Sequence, residues 1–381
     1  MRIQLLLLAL LLSWAITVLS IPAPTTTSTI PDISQIQRRD DDCKPTIAPD
    51  ANGYVPPSEC NALYSYYPSF GAAVALSTLF GILIITHFVQ AVFHKTGFTW
   101  VIIMSAIWEC VGFVTRTLST RHQQNEAYAT VSQILILLAP LWVNAFDYMV
   151  LARMIHFFMP ESRISIIKPA HLTTIFVLLD IGSFIVQAVG GLMAGPGVDP
   201  TTMKTGIHIY MIGMGVQEFF ILCFLLIAIV FHNRILHLEK QGALEVGEGK
   251  TQWRGLLYAL YTSLAFITIR IIYRLVEFSS GTDISNPLVS HEWFMYVFDA
   301  VPMLFAIGVW NGWHPGAVLK GPDAKMPPSP RKDKKKARDM QKLVNAEHFG
   351  RHEMAPLQPL SGQPSDTNEF RRDRFHSRGS V

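Results

Sequence analysis

The chain has 381 residues, 50% of them hydrophobic and only 15% charged, with a formal net charge of +3. Soluble globular proteins carry about a quarter charged residues, so this composition excludes an ordinary soluble domain. The apolar residues gather in blocks long enough to cross a hydrocarbon core of about 30 Å, which takes about 20 helical residues. The expected class is an all-α membrane protein, with no nucleic-acid partner.

Residues 1–20, MRIQLLLLALLLSWAITVLS, combine Arg2, an apolar run, and Val18 and Ser20 placed as at a cleavage site. This is the pattern of a secretory signal peptide removed after Ser20. An uncleaved first span, giving eight crossings, is the alternative; the apolar run is a little short for it. Residues 21–67 read as a short extracellular segment. PAPTTTSTIP (22–31) has the composition of a disordered stalk, and QRRDDD (37–42) reads as a solvated charge run. In that compartment Cys43 and Cys60 are expected to form a disulfide, contributing about 3 kcal/mol of local order on the chain-entropy argument. Cys110 and Cys223 fall in apolar blocks and read as packing residues.

Seven candidate spans follow, at 70–93, 98–118, 128–152, 170–194, 206–231, 255–278 and 292–313, within a membrane domain of 68–316. A cleaved signal peptide places the N-terminus outside and the C-terminus in the cytosol. Positive charge agrees with that orientation. Lys95, Arg153, Arg163, Lys168, Arg234, Lys240, Lys250 and Arg254 fall on the inner side, against Arg116, Arg121, Lys204 and Arg274 on the outer. From 317 to 381 the chain is polar and Pro-rich and is expected to be a disordered cytosolic tail. Its RKDKKKAR run (331–338) would be drawn to anionic inner-leaflet lipid by about 1 kcal/mol per charge. GEGKT (247–251) lacks the leading glycine of a phosphate loop, since position 244 is Leu, so no ATPase or other cofactor is expected.

Ionisable residues inside spans face the bundle interior and need partners. Here they are Glu109, Asp147, Asp180, Glu218, Arg270 and Asp299. At 1.5 Å per residue, Glu109, Arg270 and Asp299 all lie roughly 10–14 Å below one edge of the hydrocarbon, which predicts a cluster on facing helices. Asp147, Asp180 and Glu218 are assigned to the same substrate or ion path, where an acidic lining suits a cationic ligand or a proton relay; for any one of them a neutral hydrogen-bonding role between helices is the alternative. Asn144, Gln187 and Gln217 are expected to link helices. Arg274 and Glu277, spaced i, i+3 near a span end, are read as an interfacial pair.

Several stretches resemble, in order, the fungal lipid-translocating exporter family. They are YSYYPS (64–69), ECVGFVTR (109–116), QILILLAP (133–140), DIGSFIVQAVGG (180–191), GIHIYMIGMGVQ (206–217), RIIYRLVEFSSG (270–281), HEWFMYVFDAVPM (291–303) and HPG (314–316). The resemblance covers roughly 60–320. It departs at Leu192, where members often carry a third glycine. It implies a seven-span protein that moves amphiphilic lipids such as sphingoid long-chain bases or sterol-like lipophiles, most simply at the plasma membrane. Among the matched motif positions, Gln133 joins the helix-packing polar group and Glu292 the interfacial rim.

Two other classes fit less well. A seven-span receptor or sensor of lipid stress shares the topology, but no Asn/Asp-Pro-x-x-Tyr closes the last span. A zinc hydrolase would need several His at helical spacing, and the spans offer His87 and His208 singly. No metal site or catalytic residue is expected; protein partners are left open.

Overall fold

The structure, a computed structural model, describes residues 47–159 (apart from positions 58, 60, 61 and 63), 169–194, 198–242, 253–279, 286–319, 338–342 and 345. The signal-peptide segment, the stalk, both cysteines of the expected disulfide, the GEGKT run and positions 331–337 of the basic run lie outside these residues. Residues 1–326 and 327–381 form two units; in the second, residues 338–342 are helical.

Among the described residues there is no strand, and seven helices are long and apolar enough to span a membrane. Helix α1 is Phe70–His94, started by Ser69, whose hydroxyl accepts from Ala72 N, and ended by Lys95 in the left-handed region (φ 51°). A 3₁₀ turn, Gly97–Thr99, leads into α2, Trp100–Arg121. Helix α3 is Glu126–Phe158, capped by Asn125; α4 is Pro169–Met193. Helix α5, Pro200–Lys240, starts from an Asp199 cap with Pro200 in its first turn and stops before Gly242 (φ 66°). Helix α6 is Trp253–Ser279. After the short α7 (Pro287–Ser290), the seventh span runs Glu292–Val318. It comprises α8 (Glu292–Met295), a π-helical turn (Tyr296–Ala300), α9 (Val301–Gly312) and α10 (Pro315–Val318).

Helices α3 and α5 overrun the expected spans, at 33 and 41 residues. The hydropathy boundary marks where hydrocarbon ends, whereas a helix ends only where its hydrogen-bond ladder is broken. The polar stretch His232–Lys240 contains no proline or glycine and continues the ladder.

Helix α3 is central, packing on α2, α4, α5, α6 and α9, while the seventh span lies against α1, α6 and α3. Small residues set the closest approaches, as expected where lipid supplies no hydrophobic drive. A Cβ on Gly112 would stand 2.8 Å from Ile136 Cγ1, so this glycine brings α2 onto α3. On α4, a Cβ on Gly190 would stand 2.4 Å from Tyr210 N and 2.7 Å from Gly206 O of α5. The close approach is therefore made at Gly190; Leu192, the site of the missing glycine, is 79% exposed on the outer surface.

Ahead of α1, Asp50 organises a turn. Its Oδ1 accepts from the N–H groups of Asn52 (2.8 Å) and Tyr54 (2.9 Å), and its Oδ2 from the Tyr67 hydroxyl (3.2 Å). These donors, the Tyr54 amide foremost, hold its carboxyl below the usual range. A depressed folded-state value means the turn is fully held at neutral pH and is lost as pH falls through that lowered value. Hydrogen-exchange protection at residues 52–54, corrected for intrinsic rates, should fall on acidification and be lost at neutral pH in Asp50→Asn. Protection independent of both would contradict this account.

Candidate functional site

Two tiers of buried charge lie toward the end of the bundle where α1 begins, called here the Phe70 end. The deeper tier is centred on Asp299, which the π-helical turn carries inward and which is fully buried. Pro302 brings no N–H to the ladder just beyond, the kind of break at which such turns form. Asp299 receives Nε of Arg270 and Nη2 of Arg274, both from α6. Arg270 also donates through Nη2 to the backbone carbonyl of Ile136 on α3 (2.9 Å), and its Nη1 lies 3.6 Å from Glu109 Oε1 on α2. Arg274 donates through Nη1 to Glu277 Oε2 (3.0 Å), while the Tyr273 hydroxyl donates to the other Glu277 oxygen (3.2 Å). Glu109 is 0% exposed and Arg270 3%. Four helical elements thus meet in one network of three acids and two guanidiniums.

The Ile136 carbonyl is available for a reason written in the sequence. Position 140 is proline, four residues on within the same helix, so the N–H that would bond Ile136 O does not exist. Arg270 supplies the donor instead, across the helix–helix interface.

Nearer the Phe70 end is a second tier. Arg116 Nη2 donates to Glu292 Oε1 (2.7 Å) and to the Tyr66 hydroxyl (2.8 Å); the Tyr296 hydroxyl donates to the same Glu292 oxygen (2.9 Å). The other oxygen, Oε2, accepts from the Ser69 backbone N–H (2.7 Å). Tyr64 pairs with Ser119 (2.5 Å), so YSYYPS is tied to α2 and to the seventh span. Burial pushes the Tyr66 phenol above its ordinary value, with the Arg116 charge opposing, so it remains a neutral hydroxyl at physiological pH.

The sequence reading placed several of these residues elsewhere. Arg274 and Glu292, expected at the interfacial rim, are buried, because each has an opposite charge on a neighbouring helix that removes the need to reach headgroups. Gln133 is exposed, and Ser132, one helical step away, faces inward with its hydroxyl on Gly112 O (2.9 Å). Among the described residues, Asp147, Asp180 and Glu218 make no ion pair with an arginine. Asp147 accepts from Ser263 Oγ (2.8 Å) and Trp310 Nε1 (3.1 Å), Asp180 from the Tyr148 hydroxyl (2.8 Å), and Glu218 from Thr268 Oγ1 (2.9 Å). Asn144 faces the Asp180 carboxyl, and Gln187 Nε2 donates to Gln217 Oε1 (2.7 Å) across α4 and α5. The partners of these acids are neutral hydroxyl, indole and amide groups. The Arg116–Glu292 pair was missed. Its signal was the spacing on α2, where Glu109 and Arg116 are seven residues apart and share a helix face.

Comparison with known proteins places this geometry in context. The family described as "RTA1 like protein" matches residues 102–322. The chain is 45% identical over 296 residues to the "Probable lipid transporter atnI" of Emericella nidulans, covering 77% of each chain. It is 29% identical over 303 residues to the "Sphingoid long-chain base transporter RSB1" of Saccharomyces cerevisiae, covering 71% of this chain and 78% of that one. It is also 35% identical over 202 residues to the "Protoporphyrin uptake protein 1" of Saccharomyces cerevisiae, covering 53% and 63%. No solved structure matches the chain.

Proposed function

The chain belongs to the RTA1-like family, and from that premise we propose that it moves amphiphilic lipids with a cationic head, sphingoid long-chain bases or related lipophiles, across the bilayer. It does so as a transporter without an ATPase of its own. The observation that carries the reading is the deep tier: Glu109, Arg270, Arg274, Glu277 and Asp299 set three acids against two fixed cations where hydrocarbon would otherwise be. Burying such charge is costly, and intramembrane ionisable residues of this kind mark substrate or ion paths. A sphingoid base presents an ammonium on an apolar tail. Its head would exchange water for the acids of the deep tier while its chain stays in lipid. In this reading the Phe70 end faces outward, the C-terminus is cytosolic, and the protein resides in the plasma membrane.

Purified full-length protein in liposomes tests the reading. A fluorescent sphingoid base should cross faster than in protein-free vesicles, and Arg270→Ala should abolish most of the gain. Folded protein that binds the base without accelerating it would turn the assignment toward a sensor of lipid stress.

A further inference from the structure

Resting on that reading, we infer that Pro140 is a positioning residue. By withholding the helical donor of Ile136 it anchors Arg270 short of Glu109, and so keeps the Glu109 carboxylate open for the ammonium of the transported lipid. A guanidinium presents its donors in a rigid planar fork, so two fixed contacts determine where the third nitrogen lies. In Arg270, Nε is committed to Asp299 and Nη2 to the Ile136 carbonyl. Nη1 then stops 3.6 Å from Glu109 Oε1, beyond hydrogen-bond reach.

The two acids nearest Arg270 therefore differ in kind. Asp299 is in direct ionic contact with both arginines, Nε of Arg270 at Oδ1 and Nη2 of Arg274 at Oδ2. Glu109 is fully buried, and among the described residues neither of its oxygens takes a hydrogen bond. The charged groups facing it are Arg270 and Arg274 from α6 and Asp299 from the seventh span; none comes from α1 or α3 among the described residues. An ammonium brings three N–H donors, and Glu109 is the acid of the network whose two oxygens are both out of hydrogen-bond contact with the arginines, at 3.6 Å or more, whereas both oxygens of Asp299 are already in contact with one. The anchor is rigid from the other side as well, because the Gly112 contact fixes Ile136 against α2, one turn from Glu109.

An ordinary amide at position 140 would reclaim the Ile136 carbonyl. Arg270, released, would close on Glu109 and occupy the acceptors that the ligand needs. Pro140→Ala removes a ring that helices tolerate poorly, so α3 itself is not endangered.

The test is a double-mutant cycle on initial rates of fluorescent sphingoid base movement in liposomes, with equilibrium dialysis of the same base against detergent-solubilised protein. Pro140→Ala should raise the apparent KM about tenfold, the scale of one hydrogen bond to a charged group, with maximal rate changed less than about twofold. Glu109→Gln should raise KM comparably, and the double variant should be no worse than Glu109→Gln alone, because both act on one carboxylate. Wild-type KM in Pro140→Ala, or effects that multiply in the double variant, would overturn the inference, since a merely structural role for the proline adds independently. Wild type that binds the base but does not move it overturns transport and leaves the dialysis constants to judge Pro140. Wild type that neither binds nor moves it overturns both.

Discussion

Asp299→Ala is expected to destabilise the protein by about 3–5 kcal/mol, enough to abolish most folded material, because it removes the carboxylate that two buried guanidiniums share, leaving Arg274 with Glu277 and Arg270 with the Ile136 carbonyl and the more distant Glu109. Arg270 loses the contact at its Nε and Arg274 the acceptor at its Nη2, and both side chains are under 10% exposed. Glu109→Gln keeps the size of a side chain in the same network and should cost less than about 1 kcal/mol, since among the described residues neither Glu109 oxygen takes a hydrogen bond that the amide would lose. Thermal unfolding in detergent, followed by retention of monodisperse protein, reads both variants. Equal stability of the two would mean that the network is not organised around Asp299.

Gly190→Val is the second large effect, and its cause is steric. The added Cβ would overlap backbone atoms on α5, 2.4 Å from Tyr210 N and 2.7 Å from Gly206 O, and backbone cannot rotate away as a side chain can. Overpacking of this kind costs about 1–3 kcal/mol where neighbours can yield and more where they cannot. The Gln187–Gln217 bond on the same interface would be pulled apart with it. Leu192→Ala, two residues away and exposed to lipid, should stay within about 0.5 kcal/mol of wild type. If Gly190→Val purifies with wild-type thermal stability, α4 and α5 do not approach as closely as described.

The bundle and the deep tier were legible because hydrocarbon thickness and helical rise are both fixed lengths. Counting residues inward from span ends put Glu109, Arg270 and Asp299 at one depth before any contact was known. Depth without rotational phase also produced the errors. Arg274 was placed at the rim by depth, although its i, i+4 relation to Arg270 sets both on one face toward Asp299. Gln133 came from its place in the matched QILILLAP motif, which carries no helix phase, although the face that meets Gly112 carries Ser132. The ends of α3 and α5 were invisible to hydropathy because polar residues continue a helix in water as readily as apolar ones do in lipid. The Pro140 effect was half legible: proline identifies the carbonyl left without its donor, but only three-dimensional packing reveals that the donor arriving there is Arg270.

The deep tier has an electrical consequence. Arg270 lies nine residues, about 14 Å, from the end of α6 at Ser279, or nearly half of a 30 Å core. Fixed charges there sit inside the transmembrane voltage drop. A lipid that reaches Glu109 as a cation therefore carries charge through part of that drop, at about 1 kcal/mol per 100 mV, half the value for a full crossing. Occupancy of the tier should vary with membrane potential even though the lipid tail is blind to it, and the sign of that dependence reports which leaflet loads the site.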